Sequence, residues 1–195
     1  VGLAAGLTTA SDKVGFIGGM QFPLIEKFQY GYQAGVKAVN PDAEVFVAYT
    51  QSFDDSAAGK ENALAQYNQG ADVIYHAAGG CGIGLIQAAQ EQNFWAIGVD
   101  QDQSALAPEN VLCSMLKRVD VAVYEAIKLM VEGNFTGENI NYALNVSGVD
   151  ISDKAGNVPA EVMEQVEAWK AKIVAGEFVV PYDAATFEAF EVPEM

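Results

Sequence analysis

Basic residues are scarce in this sequence: ten Lys and Arg stand against 26 Asp and Glu in 195 residues, a formal net charge of −16. A surface of that sign repels phosphate backbones, which argues against nucleic acid as a partner and, less strongly, against anionic small molecules. An uncharged ligand suits such a chain best. Many of the acids follow Asp150, where a solvated, solubilising face accounts for them. Histidine is nearly missing, His76 being the only one. A serine or cysteine nucleophile needs a base within reach, and no Gly-x-Ser-x-Gly elbow occurs, so the chain reads as no enzyme. His76 itself falls at a strand end and reads as a rim or core histidine with its hydrogen bonds met locally. Cysteine is limited to Cys81 and Cys113, whose spacing fits no zinc pattern. Both fall near expected strand ends, which leaves a disulfide across the rim or two buried thiols. No apolar run approaches the roughly 20 residues that span a bilayer. No basic segment followed by an apolar core opens the sequence either. Val1–Leu7 reads instead like the middle of a helix, as in a mature or truncated product.

What the sequence does contain is a globular composition, 51% hydrophobic and 10% aromatic, enough for one large domain or two small ones. Short apolar runs alternate with helical periodicity. Residues 1–10 form an Ala/Gly-rich helix, and Val14–Gly18 is a first strand. Pro23, well placed in a first turn, opens a helix to Val39 that ends at Asn40-Pro41-Asp42. Val45–Tyr49 is a second strand. Ser56 caps a helix to Asn68 that stops at Gln69-Gly70. Asp72–His76 is a third strand, and Gly79-Gly80-Cys81-Gly82 turns into a helix from Ile83 to Gln92. Trp95–Val99 and Val111–Ser114 are the fourth and fifth strands. Strands bridged by helices in this way predict an α/β fold with a parallel sheet and flanking helices. Beyond it lie an amphipathic helix from Lys117 to Glu132, an alternating strand at Asn141–Val146, and a helix from Pro159 to Ala175 ended by Gly176. Phe178–Pro181 is extended, and the acidic tail 182–195 is either frayed or docked.

Four of the apolar runs end on polar or glycine residues: Gly19-Met20-Gln21, Ser52-Phe53-Asp54-Asp55, Gly79-Gly80 and Asp100-Gln101-Asp102-Gln103. In open α/β sheets ligands bind beyond the carboxyl ends of the strands, so these four ends predict one shared site. The pairs Asp54/Asp55 and Asp100/Asp102 are compatible with glycosidase chemistry or a divalent metal, yet no single loop carries enough ligands for a metal cage. The glycine run at 79–84 is not in a dinucleotide-binding frame and lacks the Lys-Ser/Thr of a P-loop. It can still bring backbone N–H groups close to a ligand oxygen, or it can serve packing alone. A carboxylate that accepts from adjacent sugar hydroxyls, with an ammonium beside it, grips a polyol well. Asp100 or Asp102 facing Lys117 supplies that pair, although Lys117-Arg118-Val119-Asp120 also reads as an ordinary helix start.

Val14–Met20, Ser52–Asp55, Ala77–Gly80, Gly98–Gln103, Ser114–Asp120 and Gly176–Pro181 together, in that order and spacing, resemble the basic membrane protein family. These are purine-nucleoside-binding lipoproteins of ABC transporters with the two-lobed periplasmic-binding-protein fold. The resemblance runs from Val1 to about Pro181. It implies a receptor without catalysis or cofactor, whose partners are a purine nucleoside and an ABC permease. It also implies an extracytoplasmic address for the full-length parent, lipid-anchored or periplasmic. The ribose-holding acid and lysine of the family correspond to Asp100 and Lys117. Gly19, Met20, Phe53, Asp54, Gly79 and Gly80 line the implied cleft, with Asp102 nearby. Cys81 departs from the family, standing where a small hydroxyl residue is common.

The resemblance further divides the chain into a helix and crossover belonging to a missing first lobe (1–12), an α/β ligand-binding lobe (13–116), a crossover helix with returning strand and C-terminal helix (117–181), and a tail. With the first lobe missing, apolar faces of the helix at 117–132 or of that at 159–176 are expected to need cover from that lobe, a second copy or an exchanged segment. Two competing readings remain. One is a ligand-sensing domain of a regulator with the same fold, and the other an enzyme acting on nucleosides or sugars through its aspartates.

Overall fold

Each apolar run that stops abruptly at glycine or acid becomes a strand of one sheet in the computed structural model, which describes residues 1–193. The strands are β1 (Lys13–Gly18), β2 (Glu44–Tyr49), β3 (Val73–Ala77), β4 (Trp95–Gly98), β5 (Val111–Lys117) and β6 (Val149–Ser152), in the order β2-β1-β3-β4-β5-β6. The first five run parallel, and β6 joins β5 antiparallel. β1 and β3 are central and almost wholly buried, whereas β2 is a half-exposed edge.

Helices cover both faces. On one face α1 (Gly2–Thr8), α2 (Pro23–Val39) and α6 (Ala160–Ala175) enclose Val14, Phe16, Val73, Tyr75 and Leu112. On the other, α3 (Ser56–Asn68) and α4 (Cys81–Gln92) enclose Ile17, Ile74, Leu85 and Ala96. This is the doubly wound arrangement, in which the chain reverses its winding between β1 and β3. α3 and α4 pack at backbone contact: a Cβ on Gly84 would lie 1.8 Å from the Ser56 carbonyl oxygen. Punctuation follows local chemistry. Pro23 occupies the first turn of α2, and Asn40 closes that helix while its side chain reaches the Gly6 carbonyl and the Asp12 carboxylate. Gly176 ends α6 in the left-handed region.

Several local expectations change. Asp55, not Ser56, caps α3, its carboxylate accepting from the Ala58 N–H at 3.0 Å. The alternating stretch 141–146 is no strand: Leu144–Val146 forms a 3-10 turn, closed by a bond from Gly148 N–H to Ala143 O. Pairing passes to Val149–Ser152, which finds the open edge of β5. Alternation marks a segment able to pair, but a partner edge decides which segment does. Cys81 and Cys113 are free and fall in the two apolar clusters on opposite faces of the sheet, so they are buried thiols rather than neighbours on the rim. The tail docks as far as it is described. α7 (Ala184–Glu188) stacks Phe187 on Tyr30 of α2, and the Lys37 ammonium lies under the rings of Phe187 and Phe190. Glu194 and Met195, the end of the expected tail, lie outside the described residues. No helix among the described residues is long and apolar enough to cross a membrane.

Helix α5 (Val119–Val131) packs on neither face among the described residues. It has no buried residue, and Val123, Tyr124, Ile127, Met130 and Val131 are each more than half exposed. α6, the other helix expected to lack cover, instead buries Val162, Val166 and Trp169.

Candidate functional site

The carboxyl ends of the parallel strands β1 to β5 form one rim, and the loops after them are tied to one another. The Gly19 N–H donates to Ala77 O at 3.0 Å, and the Gln51 N–H to Gly19 O at 2.9 Å. The Gly80 N–H donates to Phe53 O at 2.7 Å, so the Phe53 loop is fastened to the glycine turn at the β1/β3 switch point. Gly79 has φ +56°, a conformation that glycine adopts without strain. Phe53 meets Phe22 edge to face at 6.3 Å. Met20 and Asp54 are exposed beside them. Gly19, Met20, Phe53, Asp54, Gly79 and Gly80 therefore do come together.

The start of α4 is not a free anion nest. The N–H groups of Gly80, Cys81, Gly82 and Ile83 are bonded to the carbonyls of Phe53, Ala78, Gly79 and Gly80. Of the two roles open to this glycine run, close packing is the one the geometry displays.

One strand further along, Asp100 and Lys117 meet. The Lys117 Nζ lies 2.7 Å from Asp100 Oδ1, with both side chains about half exposed. The backbone enforces the encounter, because the Lys117 N–H also donates to Asp100 O at 2.9 Å. A slip in the β4–β5 register between Ala96 and Ile97 shifts β5 along, bringing Gly98 opposite Ser114. Asp100 itself has φ +69°, and the Gln101 N–H bonds to Val99 O at 2.8 Å, a γ-turn centred on the carboxylate. The pair opens on a hollow of about 500 Å³ shared with Gln101, Asp102, Leu116 and Arg118. A larger cavity of about 650 Å³ lies against α2, walled mainly by apolar side chains such as Leu24, Phe28, Met115 and Trp169. It meets the first only at Lys117, Arg118 and Val119. Size favours the larger cavity, but the Asp100–Lys117 pair lines the smaller one.

Asp102 has a different occupation. One of its oxygens accepts from the N–H and hydroxyl of Ser104, and the other from the Ser152 hydroxyl at 2.6 Å. Burial raises its pKa, but the hydrogen bonds from Ser104 and Ser152 outweigh that and hold it below the ordinary carboxylate value. Asp102 thus moors the rim loop to β6, and of the two acids only Asp100 makes an ion pair with Lys117. Arg118 is likewise engaged locally, its guanidinium on Asp120 at 2.8 Å. The Asp55 carboxylate is turned to the start of α3, where it caps the Ala58 N–H, while Asp54 is exposed. No cluster of three or more His, Cys, Asp or Glu able to hold a metal occurs among the described residues.

His76 is fully buried, and its Nε2 lies 2.9 Å from Gln103 Oε1. Burial pushes its pKa down to about 4, against the opposing pull of the Gln103 hydrogen bond and of Asp100. The bond to Gln103, and those from Ser104 and Ser152 to Asp102, were not foreseen from the sequence. The only signal available was a polar run following a strand, which does not say where each side chain turns.

The profile of the family described as "ABC transporter substrate-binding protein PnrA-like" (Bmp) matches residues 1–184. The chain is 38% identical to the "ABC transporter nucleoside-binding protein BmpA" of Lactococcus lactis, over 92% of this chain and 56% of that protein. It therefore spans little more than half the length of that relative. An ABC transporter solute-binding protein from Aeropyrum pernix K1 superposes with a TM-score of 0.77 at 31% identity, over 96% of this chain and 66% of that one. A structure described as a transcriptional activator of the comK gene from Bacillus halodurans superposes at 0.83 with 26% identity, over 91% and 61%. On the family match along nearly its whole length, the chain belongs to the Bmp family of PnrA-like ABC transporter substrate-binding proteins.

Proposed function

We propose that this chain is the ligand-gripping part of the solute receptor of an ABC importer, and that it holds an uncharged purine nucleoside by its ribose. The observation that carries the reading is the Asp100–Lys117 pair, 2.7 Å apart at the strand ends and half open to solvent above a hollow of nucleoside scale. A carboxylate offers about four acceptor sites and an ammonium three donors, so each keeps capacity for vicinal hydroxyls after pairing with the other. The rim bearing Phe53 and Phe22 presents aromatic edges and faces suited to a flat base. Gly19, Gly79 and Gly80 keep the neighbouring strand ends low, leaving room for the ligand. Asp54 stands at the margin of the cleft.

The remainder of the longer protein supplies a first lobe in this reading. That lobe closes over the strand ends and covers the apolar face of α5, and a permease receives the loaded receptor. The parent is extracytoplasmic and lipid-anchored or periplasmic. The boundary near residue 117 separates the ligand-binding lobe from the crossover. Calorimetry of the longer protein against inosine, guanosine and adenosine tests the function, and no heat with any of the three overturns it.

A second reading has one observation in its favour, the superposition on a protein described as a transcriptional activator. Here the same lobe senses a ligand for a regulator. The coding region upstream discriminates: a lipobox cysteine supports the receptor, and a helix-turn-helix supports the regulator.

A further inference from the structure

The γ-turn at Asp100 needs an explanation. A non-glycine residue held at positive φ in a three-residue turn carries strain, and it persists only where its surroundings over-determine it. The surroundings here are a buried polar cluster that the ligand chemistry above does not use. Gln103 Oε1 accepts from the N–H of Val99, the first residue of the turn, at 2.8 Å, and faces His76 Nε2 at 2.9 Å. Because that oxygen already serves as the acceptor for Val99, Nε2 is the protonated nitrogen of His76 and Nδ1 is bare. Nδ1 is indeed buried without a partner. The Gln103 N–H donates to Ser114 Oγ at 3.1 Å, and Ser114 is wholly buried on β5, three residues before Lys117. Gln103 thus ties the strand before Asp100 to the end of β3 through its side chain, and to the strand that delivers Lys117 through its backbone N–H.

Two glycines leave the space this cluster occupies. A Cβ on Gly82 would lie 1.9 Å from the His76 ring, and one on Gly98 would lie 2.5 Å from Ser114 Oγ and 2.8 Å from Gln103 Oε1. Room has been kept for the imidazole by Gly82 of α4 and for the amide by Gly98 of β4. A leucine or valine at 103 would keep the backbone bond to Ser114 but could not accept from the Val99 N–H or meet His76.

We propose that Gln103, braced by His76 and Ser114, is the positioning residue that holds Asp100 in its γ-turn and aims its carboxylate at the hydroxyls gripped with Lys117. The inference rests on the nucleoside reading for its ligand, but the clasp itself has a readout without ligand.

The experiment uses the longer protein that contains this chain, with Gln103→Ala and with Gln103→Glu, which keeps an acceptor oxygen at the same reach. Amide hydrogen exchange is followed at Val99, Gln101 and Lys117, and affinity is measured for a purine ribonucleoside and for its 2′,3′-dideoxy analogue. In Gln103→Ala, exchange at Val99 speeds about tenfold or more, as expected when a buried donor loses its acceptor, and exchange at Gln101 and Lys117 speeds with it as the turn they close comes loose. Ribonucleoside affinity falls about tenfold while dideoxynucleoside affinity stays within about twofold, and Gln103→Glu restores most of the protection. Unchanged exchange in Gln103→Ala overturns the clasp whatever the ligand proves to be. Faster exchange with equal losses for both nucleosides overturns the positioning role, since loosening of the whole lobe would weaken both alike. If the unaltered protein binds neither nucleoside, the functional reading fails and the positioning of Asp100 for a diol fails with it, while the exchange data still decide the clasp.

Discussion

The sheet lobe and helix α5 are built from similarly apolar sequence and meet opposite fates. β1 and β3 bury nearly every side chain between two helical layers, whereas α5 buries none of its thirteen residues. α5 also carries valines at 119, 121, 123 and 131, which favour a helix weakly, and it is short enough to be marginal in isolation. Helical periodicity states which face will be covered, not what covers it. In the lobe that cover is internal; for α5 it is not found among the described residues.

The sharpest break of this comparison lies in the core. Phe16 is fully buried against the rings of Tyr32, Tyr49 and Tyr75. Phe16→Ala is expected to cost about 3–5 kcal/mol in urea denaturation. A loss below about 1 kcal/mol would falsify the placement of the core.

Next comes the rim, where on the proposed nucleoside reading the pair matters for binding more than for folding. Asp100→Ala and Lys117→Ala are each expected to weaken nucleoside binding by roughly 2–5 kcal/mol once the closed cleft takes the pair out of water. Half exposed as it is here, the same pair contributes at most about 1 kcal/mol to stability. Calorimetry beside thermal melts separates the two effects, and equal affinity in both variants removes the pair from the site.

A third effect concerns pH. His76 titrates at about 4 when folded against about 6.5 when unfolded. The unfolded chain therefore binds more protons than the folded one between those values, and stability drops as pH falls from 6.5 to 4, by about 3 kcal/mol in total. Above pH 6.5 this contribution is flat. Comparing unfolding with His76→Gln across that window isolates it, and parallel pH profiles for the two proteins would refute the burial of a neutral imidazole.

The smallest expected effect lies in α5. Ile127→Ala, at a side chain more than half exposed, is expected to shift the stability of this 195-residue chain by less than about 0.5 kcal/mol. The same substitution in the longer protein costs about 2 kcal/mol or more if the first lobe covers that face. Equal small effects in both would mean that α5 stays uncovered.

How legible the molecule was follows the same division. β1 to β5, with the helices between them, could be read from abrupt endings of apolar runs and from Pro23, Asn40, Gly70 and Gly176, because those signals act within a few residues. β6 could not, since Asn141–Val146 and Val149–Ser152 are similarly able to pair and only the free edge of β5 chose between them. Asp100 and Lys117 were legible as residue types in the right places. That Asp102 turns away to Ser104 and Ser152 was not, nor was Gln103 reaching His76.

The sequence by itself settled β1 to β5 and the helices between them, the acid surface and the residues available at the strand ends, all consequences of composition, local sterics and hydrophobic periodicity. Only the tertiary structure decided which carboxylate faces the lysine, which helix goes without cover and which buried polar atoms meet. Those depend on the β4–β5 register and on strands distant in sequence, where a shift of one residue carries a side chain to the other face of the sheet.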